Sequence, residues 1–205
     1  MKTTSSNLPP VIVIGGGGHA AVVIAVLKKM SAQILGVTVA EDLGRKDVLG
    51  VPIIGDDDEL NKFHPDEVII ANGIGMTTPG HSARLDVAKK VREREFKCAK
   101  IIDSTAIISS DIEVGEGVQI LAGAIVQPRA KIGQDCIVNT GAQIDHDCEI
   151  EPSCHICPGA ILTGGVFVGA GTVVGAGAVL LPNVRVAPAS LIKAGSVISK
   201  WPQST

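Results

Sequence analysis

Aromatic side chains are scarce: tyrosine is absent, and one tryptophan with three phenylalanines makes up 2% of 205 residues. Bundle and sandwich cores usually lean on such rings, so a core of Ile, Val and Ala better suits the narrow interior of a solenoid. Basic excess is lacking too. With 18 Lys and Arg against 21 Asp and Glu, the net charge is −3, and no basic cluster offers a field for nucleic acid or an anionic membrane. No run of 18 apolar residues interrupts the chain, so a membrane-spanning helix is not expected. Residues Met1 to Pro10 are polar, carry two prolines and lack a basic start followed by an apolar stretch. They read as a disordered tail rather than a signal peptide, and the expectation is a cytoplasmic protein. The five cysteines fit a reducing compartment. Cys154-x-x-Cys157 has no second pair at ligand spacing, so packing accounts for it better than metal or redox chemistry. There is no Gly-Lys-Ser/Thr ending to any glycine-rich loop, which excludes a P-loop.

What the chain has is a period of six. Every sixth residue from Ile102 to Ile198 is Ile, Val or Leu, and a second series two positions earlier is mostly small, including Ala124, Ala130, Cys136, Ala142, Cys148 and Cys154. A helix with 3.6 residues per turn would carry such positions around its surface, so the repeat specifies short strands stacked in a parallel β-helix. At three hexads per coil the stretch makes roughly five to six coils. The steps Ile132-Gly133 to Cys136, Val168-Gly169 to Thr172 and Val174-Gly175 to Ala178 resemble the hexapeptide-repeat acyltransferases, and that resemblance implies the left-handed form.

Before the repeat, Val11-Ile12-Val13-Ile14 is a short apolar run. The glycines Gly15 to Gly18 with His19 follow, then a helix former from Ala20 to Met30. Strand, glycine loop and helix start make an anion site from exposed backbone N–H groups. Further strands are predicted at 34–39, 51–54 and 68–71, with helices near 57–63 and 80–95, giving a small βαβαβ domain. Gly15-x-Gly17-x-x-Ala20 satisfies the dinucleotide pattern formally, and Glu41 or Asp42 stands about 20 residues on, where a ribose-binding acid would lie. A second mononucleotide half has no room before the repeat begins. The fold class is therefore an α/β half-Rossmann domain over 11–101, followed by a left-handed parallel β-helix over 102–200, with 1–10 as the tail.

The Gly-x-x-Gly-His loop, the compact nucleotide-binding domain, Asn139, the run Ile144-Asp145-His146-Asp147-Cys148 and then His155 together resemble the sialic acid O-acetyltransferase family of hexapeptide proteins. Within it, the likeness is to bacterial enzymes that N-acetylate nucleotide-linked 4-amino sugars. That resemblance implies acetyl-CoA as co-substrate, no metal, a homotrimer with sites between subunits, and a place in surface-glycan synthesis. It assigns His146 as base and Asp147 as its holder. His155, Gly164, Ala176 and Ala194 would contact acetyl-CoA, while Gly17, Gly18, His19, Gly73 and Asn139 would lie on the substrate side.

The chemistry stands beside the resemblance. An amine must be neutral to attack a thioester, and an imidazole is suited to take its proton near neutral pH. His146 lies two residues after core position Ile144 and is the candidate; an ordinary surface histidine would look similar. Strand alternation would send Asp147 to the opposite face unless a corner intervenes, which leaves Asp145 as the alternative holder. His155 reads either as a thioester contact or as an edge histidine capping a turn. A bare N–H at Gly164 suits a developing oxyanion, whereas Ala176 and Ala194 are also ordinary packing residues. Trp201 reads as a cap on the last coil or as a stacking partner for adenine. Two other functions stay open, O-acetylation of sialic acid or a similar sugar and a non-catalytic sugar-nucleotide scaffold. The nucleobase is undetermined among UDP, GDP and dTDP.

Overall fold

The computed structural model describes residues 8–80 and 83–200. Trp201, predicted as a cap or stacking residue, and most of the predicted tail lie outside the described residues. Contacts divide the chain into two compact units. One runs to Gly75 and resumes over Ala83–Ser104; the other joins the segment starting at Met76 to everything from Thr105 onward.

The first unit is built on β1 (Val11–Ile14), every residue of which is buried. Helix α1 (Gly18–Lys29) follows the glycine loop and buries Ala20, Val23, Ile24, Val26 and Leu27 on one stripe. Strands β2 (Ile34–Thr38), β3 (Asp47–Val48), β4 (Val51–Gly55) and β5 (Ile69–Asn72) complete a sheet of order β3-β4-β2-β1-β5. All pairings are parallel except the β3–β4 hairpin, a two-residue strand that hydrophobic periodicity did not reveal. The segment predicted as a helix near 57–63 is a 3-10 turn, Asp57–Lys62. Its cap, Asp56, accepts from Asp58 N, and Phe63 returns to extended backbone just before His64-Pro65, so the turn has no length in which to settle as an α-helix. Helix α2 spans Ala83–Glu93 and buries Arg84, Ala88 and Val91.

In the second unit the hexads become two-residue strands whose second member is the aliphatic core residue. Partners lie 18 residues apart, as in Ile125↔Gln143, Lys131↔Glu149 and Ile137↔His155, so each coil is three hexads and the strands stack into three parallel ladders. This is the parallel β-helix that the repeat requires, in the left-handed form that the resemblance implies. The first face stacks Ile107, Ile125, Gln143, Ile161, Val179 and Val197 as outward members. The second carries Glu113, Lys131, Glu149, Phe167 and Arg185, with Lys131 paired to Glu113 at 3.5 Å and Arg185 stacked on Phe167 at 4.1 Å. The third carries Gln119, Ile137, His155, Val173 and Leu191.

The corners repeat as strictly as the strands. Between the third and first faces Gly123, Gly141, Gly159, Gly177 and Gly195 all have φ from 64° to 68°. At the first-to-second corner the same left-handed position is filled by Arg129 (φ 61°), Asp147 (φ 59°), Gly165 (φ 70°) and Asn183 (φ 61°), each one coil above the last. Left-handed backbone disfavours side chains bearing Cβ, so these non-glycine corners carry a cost that their side chains must justify.

Candidate active site

His146 lies on that first-to-second corner, immediately after the core strand Gln143–Ile144. The left-handed turn at Asp147 removes the alternation that would have separated the two side chains. His146 Nδ1 donates to Asp147 Oδ2 at 2.6 Å. Asp145 instead accepts from the backbone N of His146 at 2.8 Å, so it shapes the turn while Asp147 orients the ring. With its Nδ1 proton engaged on a carboxylate, the imidazole presents the lone pair of Nε2 outward. The ring is about half exposed, at 55% of its side-chain surface.

One coil above, Gly164 makes room for that ring. A Cβ there would stand 2.6 Å from His146 Cε1 and 2.8 Å from Nε2. The N–H of Gly165 is taken by His146 O at 3.0 Å, whereas Gly164 N–H donates to nothing among the described residues. Gly164 was predicted for its bare N–H; the structure adds a steric reason for glycine at that position.

One coil below stands Arg129, which sequence reasoning missed. Its Nε and Nη2 donate to Asp147 Oδ1 and Oδ2 at 2.6 and 2.9 Å, a two-pronged pair. Arg129 first and His146 second hold the Asp147 carboxyl well below the usual carboxylate range, and Asp147 in turn raises the guanidinium. The signal was a count of 18, one coil of three hexads, backward from Asp147, but the sequence does not say which corner side chains turn toward one another.

Asn139 and His155 form a second group on the third face and its corner. His155 sits within a strand, 7% exposed, rather than on an edge. Asn139 Oδ1 accepts from Thr140 N at 2.8 Å, which leaves Nδ2 to donate to His155 Nε2 at 3.0 Å. His155 Nδ1 must then carry the proton, and it donates to Met76 O at 2.5 Å. As placed, its Nε2 is an acceptor and offers no proton to a thioester oxygen. The segment from Met76 is held a second time where Gly80 N donates to Gly171 O at 3.0 Å. Ala176 and Ala194 are both exposed on the glycine corner, and Gly195 N donates to Ala176 O at 2.8 Å. The structure thus brings together His146, Asp147 and Gly164 at one corner and Asn139 with His155 near another; among the described residues no hydrogen bond or ion pair joins the two groups. A groove lined by Ile125, Gln143, Asp145, Ile161 and Thr163 runs over the first face between those corners.

In the first unit the glycine loop divides by role. A Cβ on Gly15 (φ 94°) would meet Ile74 at 2.8 Å, and one on Gly16 would meet Leu43 at 2.4 Å, so these two permit close packing. Gly17 and Gly18, the cap and first residue of α1, are exposed with open space around them. The first N–H groups of a helix have no acceptor within it, and here they stand at an open surface. His19 is half-buried in the first turn beneath Gly75. Gly73 is buried: a Cβ would meet Ala20 at 2.8 Å and Ile14 O at 2.9 Å, so its local duty is to let β5 turn against β1 and α1. Arg84, 1% exposed, clamps this turn by donating to Asn72 O and Ile74 O. Arg45, also missed, donates from Nη2 to Gly16 O beside the loop. Glu41 and Asp42 are exposed, and the Asp42 carboxylate caps Gly44 N.

All five cysteines are free thiols. Burial pushes Cys148 and Cys157 up to about 11, which leaves them protonated and poor nucleophiles near neutrality. Among the described residues no group of His, Cys, Asp or Glu could hold a metal, and no helix is long and apolar enough to cross a membrane.

Two family models match the chain, the PglD N-terminal domain over residues 10–91 and the six-repeat bacterial transferase hexapeptide over 129–164. A histidine-to-asparagine mutant of perosamine N-acetyltransferase from Caulobacter crescentus, in complex with CoA and GDP-perosamine, is 33% identical. The match covers 93% of this chain and 89% of that one, with a TM-score of 0.86. The acetyltransferase domain of PglB from Neisseria gonorrhoeae, in complex with acetyl coenzyme A, is 28% identical over 94% and 93% of the two chains, with a TM-score of 0.83. WeeI from Acinetobacter baumannii, at 15% identity over 92% and 95% and a TM-score of 0.59, shares the fold.

Proposed function

Because this chain belongs to the hexapeptide-repeat family of sugar N-acetyltransferases, we propose that it carries an acetyl group from acetyl-CoA to the 4-amino group of a nucleotide-linked amino-deoxy sugar. The observation that carries this reading is the corner where His146, oriented by Asp147 at 2.6 Å, lies against a glycine that leaves its Nε2 uncovered. The neutral amine attacks the thioester carbonyl, a C–N bond forms, and Nε2 takes the ammonium proton. Collapse then breaks the C–S bond, and the imidazolium returns its proton to the departing thiolate. Gly164 N–H meets the oxygen as charge develops.

Residues 11–101 hold the sugar nucleotide, with its diphosphate at the N–H groups of Gly17 and Gly18 and with His19 and Gly73 beside it. Residues 102–200 carry the transfer. His155, Ala176 and Ala194 line the acetyl-CoA path, and Asn139 faces the acceptor sugar. His146 and His155 belong to separate groups within one chain. A homotrimer, in which one subunit's base corner meets the glycine corner of the next, would unite them. The exposed Ile107 and Val197 of the first face, each 65% exposed, suit such burial. We place the reaction in the cytoplasm, in the synthesis of surface glycans.

The test is thiol release from acetyl-CoA with UDP-, GDP- and dTDP-linked 4-amino-6-deoxy sugars and with free sialic acid, for wild type and His146→Ala. Turnover of one amino-sugar nucleotide, reduced at least about a hundredfold in the variant, is expected. Turnover of sialic acid alone moves the reading to O-acetylation, and silence across the panel leaves a nucleotide-binding scaffold.

A further inference from the structure

Arg129 and Asp147 occupy the same left-handed corner in consecutive coils, at φ 61° and 59°. Neither residue suits that backbone as well as the glycine that fills the position one coil higher. Both are well exposed, at 60% and 44% of their side-chain surfaces, and a pair so placed contributes little to stability. Yet the geometry is the demanding one: two guanidinium nitrogens on two carboxylate oxygens, which a lysine cannot reproduce. Asp147 Oδ2 is shared between Arg129 Nη2 at 2.9 Å and His146 Nδ1 at 2.6 Å, so the fork reaches the imidazole through one atom.

We infer that Arg129 is a positioning residue for acetyl transfer: its fork fixes the plane of the Asp147 carboxylate, which fixes the His146 ring, and its charge offsets that carboxylate. This rests on the assignment of His146 as base. The two contributions are separable. A free carboxylate would rotate about its own side chain and release the ring from its aim. An unneutralised carboxylate 2.6 Å from Nδ1 would also favour imidazolium, removing the lone pair before the substrate arrives. Among the described residues the charged groups around the ring are few. Its own coil supplies Asp145 and Asp147, the coil below supplies Arg129 with Asp111 acting on it, and the corner above holds uncharged Gly164 and Gly165. Arg129 is the cation in that set.

The experiment uses the full chain with two readouts, steady-state kinetics across pH and the NMR titration of the His146 ring, assigned by difference from His146→Gln. In Arg129→Ala, kcat is expected to fall about tenfold while KM for the sugar nucleotide stays within about twofold. The acid limb of the kcat profile and the His146 titration both move to higher pH, because a carboxylate without its cation favours the charged ring. Arg129→Lys keeps the charge and loses the fork, so kcat falls while the titration stays in place. Arg185→Ala, a cation removed from the solvent-facing ladder, leaves both readouts unchanged. A kcat within twofold of wild type in Arg129→Ala, or an unmoved His146 titration in that variant, overturns the inference. Should the alanine variant fail to fold, unchanged kcat in Arg129→Lys overturns it equally. If wild type acetylates no acceptor, the titration decides alone: a shift keeps the Arg129–Asp147–His146 coupling while the enzyme reading falls, and no shift removes both.

Discussion

Gly164→Ala adds one methyl group at the most sensitive place in the solenoid. The new carbon would stand 2.6 Å from Cε1 and 2.8 Å from Nε2 of His146. Carbon atoms rest at about 3.5 Å or more, so the ring must retreat by about 0.9 Å. It is half exposed and free to do so, but retreat breaks or bends the 2.6 Å hydrogen bond to Asp147. A misplacement near 1 Å costs about a hundredfold in rate, or about 2.7 kcal/mol of transition-state stabilisation. Stability should barely change, because the Gly164 backbone lies outside the left-handed region and the displaced group faces solvent. Gly165→Ala is the matched contrast. There φ is 70° and the methyl would meet Asn183 Oδ1 at 2.5 Å, so the cost falls on folding, at about 1 kcal/mol or more and a Tm lower by about 2–4 °C. Thiol-release kinetics and thermal melts on both variants check this. A Gly164→Ala enzyme with kcat within threefold of wild type would refute the placement of the reacting ring beneath this glycine.

The buried Cys148 thiol and the half-buried Cys157 thiol make a pH prediction. Cys148 and Cys157 are raised in the folded state from an ordinary value of 9.0 to about 11, so the native chain binds more protons than the unfolded one in that interval. Stability should be fully present below pH 9, decline between pH 9 and 11, and alkylation by iodoacetamide at pH 8 should be slow; urea melts across pH and mass spectrometry test both. Asn139→Leu leaves His155 Nε2 without its donor, at about 1–3 kcal/mol. It should lower Tm without moving the acid limb assigned to His146, as a melt and a pH profile would report.

Every coil strand was legible because one aliphatic residue in six is a demand of the core. Each predicted core position from Ile102 to Ile198 became the second residue of a strand. The corners were half legible. Five glycines 18 apart announce one of them, but Arg129, Asp147 and Asn183 adopt the same φ without glycine, and nothing in their type says so. That is why the Asp147–His146 contact, which strand alternation argued against, waited for the structure, and why Asp145 remained a rival. Arg129 was hidden for a related reason: the 18-residue coil put it below Asp147, but nothing in the sequence showed that both take the left-handed corner that turns their side chains together. In the first unit, β1 and the glycine loop were plain, whereas β3 is too short to show periodicity. The family resemblance also blurred roles that geometry separates, since Gly73 is buried among β1 and α1 while Gly17 and Gly18 are open.

Arg129, Asp147 and Gly165 share one corner at intervals of 18, with His146 and Gly164 one residue before the latter two. Chain length therefore acts on this site in whole steps. A cassette of 18 residues spliced in beyond Asn183 would lengthen the solenoid and leave the corner as it is. The same cassette between Arg129 and Asp147 would slide the guanidinium one strand spacing away, about 4.8 Å, beyond reach of the carboxylate. Insertions that are not a whole multiple of 18 would rotate the later residues off the corner. Natural or engineered variation in solenoid length is thus admissible above and below these three coils and barred within them.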